Sequence, residues 1–211
     1  MSLGRRAAAE AVGTAFLLAA VVGSGIMGER LSGGSVAMAL LANSSATGAA
    51  LVALILTLGA AMNPLVTISD AFRQAISWRD VPLLVAAQIG GAFVGVAAAN
   101  AMFELPVVSF SQHVRAGSGQ LLSEIIATFG LLLVVARARE PAFAVGGYIA
   151  AAYWFTPSTS FANPAVTIGR TLTDTFAGIR PADAPGFIVA QLAGGACAAA
   201  LVRWLHKEVR A

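Results

Sequence analysis

One short segment occurs twice, a hundred residues apart. Met62-Asn63-Pro64-Leu65-Val66-Thr67-Ile68-Ser69 and Ala162-Asn163-Pro164-Ala165-Val166-Thr167-Ile168-Gly169 are near-copies. Their surroundings match as well: Glu10 and Thr14 pair with Glu124 and Thr128, and the run from Gln88 to Gly91 is echoed by Gln191 to Gly195. Each half therefore carries, in order, a Glu-bearing segment, a second apolar segment, an Asn-Pro segment and a Gln-Gly segment. A fixed internal period of this kind dictates architecture before any single residue does. The repeats run over roughly 1–105 and 115–211 of a single domain.

Composition decides the solvent. Of 211 residues 58% are hydrophobic and 11% charged, and mean hydropathy is +0.81, whereas soluble domains carry about 25% charged residues. A spanning helix takes about 20 residues, and six apolar stretches can be read, at 7–23, 35–58, 81–102, 121–136, 142–155 and 186–205. Three spans per half is an odd number, so the second half must be inverted in the membrane relative to the first. The fold class is an all-α membrane protein of six transmembrane helices. The arginines orient it. With both termini cytoplasmic, the inner side collects Arg5, Arg6, Arg73, Arg79, Arg137, Arg139, Arg203, Lys207 and Arg210, leaving Arg30, Arg115, Arg170 and Arg180 outside, as the positive-inside bias requires. A nucleic-acid partner is not indicated by a net charge of +3 spread over membrane loops.

The Asn-Pro segments have a direct physical reading. Asn is a strong N-cap, and Pro suits the first helical position because its missing N–H would be unpaired there. Each copy starts a helix too short to cross a bilayer. If two such re-entrant half-helices enter from opposite faces, their N-termini meet near the midplane. They present the amides of Asn63 and Asn163 and two positive helix ends of about half a charge each. Water or a small hydroxylated solute can accept from both amides; a cation meets a barrier.

On these residues the chain resembles the aquaporin and glycerol-facilitator (major intrinsic protein) family over essentially its whole length. Asn163-Pro164-Ala165 is that family's signature, and Asn63-Pro64-Leu65 is its first copy with Leu for Ala. The resemblance implies a homotetramer with one pore per subunit and a midplane formed by Asn63, Leu65, Asn163 and Ala165. It also implies an arginine directly after the second signature, and this chain has Val166 there. The first signature is preceded by Ala60-Ala61-Met62 instead of the family's Gly-Ala-His. Carried over by position, the outer constriction falls on Thr47, Ala151, Ser160 and Val166, although an ungapped offset would place Asn43 in the first position. That ring has no charge and no large aromatic. It implies a permissive channel for glycerol, urea or metalloid hydroxides such as arsenous acid, and the valine resembles a bacterial subgroup associated with arsenic resistance. A strict water channel is the alternative.

The remaining residues are weighed against that reading. Glu10 and Glu124 are intramembrane carboxylates, and their symmetry favours holding each half-helix over serving a proton-coupled transporter. Arg170 follows Val166 by one helical turn; an outer-surface position is expected, with a return toward the constriction as its rival. His113 and His206 have no partner at ligand spacing, and Cys197 reads as packing. No metal, cofactor or catalytic constellation is expected. The membrane would be the bacterial inner membrane, and the partners lipid, water and small neutral solutes.

Overall fold

The computed structural model describes residues 1–207; Arg210 and the side chains of His206 and Lys207 lie outside what it describes. The elements are α1 (Leu3–Leu31), α2 (Val36–Leu58), α3 (Pro64–Phe72), α4 (Val81–Met102), α5 (Ser118–Arg137), α6 (Pro141–Phe155), α7 (Pro164–Gly169) and α8 (Ala184–Lys207). A single 3-10 turn, Arg170–Leu172, extends α7. No strand occurs among the described residues. Helices α1, α2, α4, α5 and α8 are long and apolar enough to cross a membrane. At 15 residues, α6 rises only about 22 Å, short of the roughly 30 Å hydrocarbon core. The chain leaves it extended at Thr156 and returns into the bundle as the loop before α7.

The first helix is longer than its apolar stretch, because its charged end is satisfied locally. Arg30 donates to the Phe103 carbonyl at 3.0 Å and lies over the Phe103 ring. Both short helices begin as their sequences require. Asn63 and Asn163 are N-caps in extended conformation with Pro at the next position, and their Oδ1 atoms accept from Leu65 N and Ala165 N.

Packing repeats between the halves. Helix α1 packs on α4 as α5 packs on α8, α1 meets α2 as α5 meets α6, and α2 and α6 join the halves. The short helices cross over, α3 lying against α5 and α8 and α7 against α4. Without a hydrophobic drive between helices in lipid, small residues that let backbones approach do much of this work. A Cβ on Gly91 would lie 2.2 Å from the Ala11 carbonyl oxygen, and one on Gly194 would lie 2.2 Å from that of Ile125. These are equivalent positions of the two halves, so both long-helix pairs are zipped at the same point. Trp78, Trp154 and Trp204 are half-exposed on the surface, where an amphipathic ring suits the membrane interface.

Candidate functional site

The loops before α3 and α7 are held by one circuit built twice. Glu10 accepts from the backbone N–H groups of Ala61 and Met62, both at 2.7 Å, and from Gln88 Nε2 at 2.8 Å. Glu124 accepts from Phe161 and Ala162 N–H, both at 2.9 Å, and from Gln191 Nε2 at 2.7 Å. Gln88 also donates to Thr67, and Gln191 to Thr167, inside the short helices themselves. A buried carboxylate is tolerable only when hydrogen-bonded in this manner. Both groups serve as anchors for backbone that has left helical conformation.

That backbone is strained where it matters. Met62 and Ala162, the residues before the two Asn caps, have φ of +52° and +47°, a left-handed conformation costing a side-chain-bearing residue roughly 1–2 kcal/mol. Their N–H groups are held by the glutamates. Their carbonyls are held by the opposite half: Asn163 Nδ2 donates to Met62 O at 2.7 Å and Asn63 Nδ2 to Ala162 O at 2.9 Å. Each Asn caps its own helix through Oδ1 and braces the other half through Nδ2. A side-chain amide has two N–H donors, so one remains on each.

A cavity of about 330 Å³ runs past both amides. Its walls come from Leu17 and Val21 of α1, Leu51 and Ile55 of α2, Leu131 and Val135 of α5, and Val145 and Ile149 of α6. Toward the N-terminal end of α1 it reaches Arg6, Asp70 and Arg73. There Arg73 pairs with Asp70, and Arg6 lies 3.7 Å from Asp80. At the opposite end it is lined by Thr47, Tyr153, Ser160, Phe161, Val166 and Arg170.

This lining corrects several positions carried over from the sequence. Ala151 is exposed and does not line the cavity. The inward face of α6 is Val145, Ile149 and Tyr153, a spacing of four, and Ala151 lies two residues from either neighbour, on the far side of the helix. Tyr153 is buried instead, with its hydroxyl 3.3 Å from Thr47 Oγ1. Leu65 and Ala165 are buried away from the cavity; Leu65 packs with Leu132 and Ala198. Asn43 spends its amide on α1, donating to Val21 O and Ser24 Oγ, which leaves Thr47 as the α2 residue at this end. Arg170 is 1% exposed and faces the cavity, so its expected outer-surface position is also corrected.

Arg115, which the sequence places on the outer side, is buried too. Its guanidinium donates to the carbonyls of Gly178, Ser158 and Phe176, and its backbone N–H to Asp183. It ties the α4–α5 loop and the loop leading into α8 to the loop before α7. Burial lowers its pKa to about 10, which still leaves it charged at neutral pH. His113 beside it has its pKa lowered by burial, then by the charges of Arg115 and Arg170, against the opposing pull of Asp174.

Five long helices, the shorter α6, two half-helices meeting at their N-termini and a cavity along their junction make an aquaporin-like membrane channel. Comparison with known proteins agrees. The major intrinsic protein family model matches residues 1–153 and again 136–211. The chain is 50% identical over 217 residues to the aquaglyceroporin AqpS of Rhizobium meliloti (strain 1021), covering 99% of this chain and 93% of that protein. It is 31% identical over 188 residues to the aquaporin NIP6-1 of Arabidopsis thaliana, covering 82% and 60%. The crystal structure of the aquaglyceroporin from Plasmodium falciparum matches with a TM-score of 0.74 at 20% identity, over 96% of this chain and 95% of that one, a likeness of fold. The chain belongs to the major intrinsic protein family, whose members are channels and not enzymes.

Proposed function

We propose that the protein is a passive channel for small uncharged solutes, including glycerol, urea and metalloid hydroxides such as arsenous acid, and for water. The observation that carries this reading is the pair of Asn amides in an otherwise apolar-walled passage. Each offers one free N–H to a passing oxygen, and the walls beside them offer an ion nothing to replace its hydration shell, whose loss is far costlier than that of a neutral hydroxyl. The name of the bacterial relative, an aquaglyceroporin, supports solutes larger than water. We place the protein in the bacterial inner membrane as a multi-pass homotetramer, a reading supported by its bacterial relative and its family, with both termini cytoplasmic, an orientation supported by the distribution of its arginines.

A strict water channel is the second reading, and the side chains of Tyr153 and Arg170 favour it, since both enter a ring that the sequence leaves small and uncharged. Light-scattering kinetics on proteoliposomes separate the two. The proposal expects fast glycerol, urea and arsenous acid uptake, insensitive to ion gradients. Fast water with negligible solute flux establishes the water channel. Uptake that follows a proton gradient overturns both in favour of a coupled transporter.

A further inference from the structure

Arg170 is the largest fully buried side chain described. Its Nε donates to the Ala177 carbonyl, and its Cζ lies 3.4 Å from the centre of the Phe161 ring. Among the described residues no carboxylate pairs with it, and its Nη1 has no hydrogen-bond partner. A buried guanidinium left unpaired is expensive, and a merely structural brace would not need the donor left over. What the unpaired charge does border is the cavity. Arg170, Val166, Ser160 and Tyr153 line the same end of the passage, and Ser160 Oγ there is also buried without a partner.

The helix geometry explains how the arginine arrives. Its backbone N–H closes on the Val166 carbonyl, so the two residues share one face of α7 and the turn that follows. Long side chains on a helix lean back over the preceding turn. From position 170 that direction leads toward Val166 and the cavity, while Nε stays tied to the Ala177 carbonyl of the outer loop. The Phe161 ring, packed edge-on against Phe187 while the Phe161 backbone N–H donates to Glu124, supports the guanidinium by cation–π contact.

We propose that Arg170 sets ion exclusion and solute orientation in this pore, acting from one helical turn beyond Val166. Val166 then serves as the small neighbour that leaves the guanidinium room. The guanidinium lies on the wall of the passage beside Ser160, Val166 and Phe161, so a solute passes a fixed positive charge set among mostly apolar neighbours, an arrangement that repels cations and orients a neutral dipole. An arginine added at 166 would duplicate the charge instead of restoring it. This inference rests on the channel reading above.

The test uses proteoliposomes that report water and glycerol flux by light scattering and proton leak by an enclosed pH-sensitive dye. Arg170→Gln is expected to raise proton permeability about tenfold or more, since an unscreened charge in a pore is worth well over one decade. Arg170→Lys keeps the charge but loses the planar fork, and should preserve ion exclusion while shifting the glycerol-to-water ratio. Val166→Arg should depress water and glycerol together, and the exchange Val166→Arg with Arg170→Val should recover flux with ions excluded. Unchanged leak and selectivity in Arg170→Gln overturns the proposal, and leaves the arginine as a loop brace. If that variant does not assemble, a Val166→Arg protein that conducts like the unaltered one overturns it instead. Absence of all flux in the unaltered protein overturns the channel reading and is distinguishable from both.

Discussion

Glu124 Oε2 and Gln191 Nε2 meet at 2.7 Å, and Glu10 Oε2 and Gln88 Nε2 repeat the pair at 2.8 Å in the other half. The first consequence concerns stability. Replacing either carboxylate by Gln turns one acceptor oxygen into a donor facing a backbone N–H. Each such orphaned group costs about 1–3 kcal/mol. Glu10→Gln should lower the midpoint of thermal unfolding in detergent and expose residues 58–63 to hydrogen exchange, while Glu124→Gln does the same for residues 156–162. Loosening confined to the half that carries the mutation supports the anchoring role. A change in gradient dependence with stability intact would make the glutamates proton relays.

Gly90 and Gly91 are adjacent, yet their substitution should have opposite effects. A Cβ on Gly91 meets the Ala11 carbonyl oxygen at 2.2 Å, and one on Gly90 meets nothing within 4 Å. Gly91→Ala must push α4 off α1 and should cost at least the 1–3 kcal/mol typical of overpacking. Gly90→Ala should be neutral or stabilising by up to about 1 kcal/mol through helix propensity. Thermal midpoints of the two variants in the same detergent decide it, and equal effects would mean that the α1–α4 contact is looser than described.

The outer loops carry a pH signature. Burial of Asp183 opposes its charge, but the hydrogen bonds from Arg180 and from Arg115 N–H, with the Arg180 charge, hold its carboxyl below its ordinary value of 3.8. A depressed carboxylate stabilises the fold fully above its unfolded value and loses that contribution as pH falls through the folded one. The midpoint difference between the unaltered protein and Asp183→Asn should therefore be constant from neutrality to about pH 4 and shrink below it. His113, also depressed, acts in a separate window: its contribution is complete above its ordinary 6.5 and declines on acidification below that. His113→Gln should flatten only this upper window.

Hydropathy and the internal repeat made the helices, the half-helices and the paired asparagines readable, because lipid forces long apolar runs and Asn-Pro has one good helical register. The outer end of the pore was less readable. Counting back from Asn163 assumes a fixed path, but the intervening loop turns through left-handed Thr159, Ser160 and Ala162. Arg170 has the same sequence whether it points out or leans back. Arg115 binds backbone carbonyls from distant segments, and carbonyls leave no trace in a residue pattern. Leu65 occupies the slot that Ala165 fills in the other half. Its bulk is accommodated beside Gly195, at 3.9 Å from the Cβ that glycine lacks, where the first half has Ala92.

The face of α6 offers the sharpest test of the corrected ring. Ala151 is exposed, and Tyr153 is buried against Thr47 with its side chain at the cavity. Ala151→Leu adds bulk on the outward side and should leave water and glycerol flux unchanged. Tyr153→Leu removes an aromatic ring and a hydroxyl from the outer end of the passage. It should raise the glycerol-to-water ratio by up to about tenfold, the effect of some 1.4 kcal/mol on a barrier. Both substitutions are apolar and neither alters charge, so solubility and insertion are matched between them. If Ala151→Leu blocks glycerol while Tyr153→Leu does nothing, α6 is rotated by about half a turn from the orientation described, and the ring read from sequence position is the correct one.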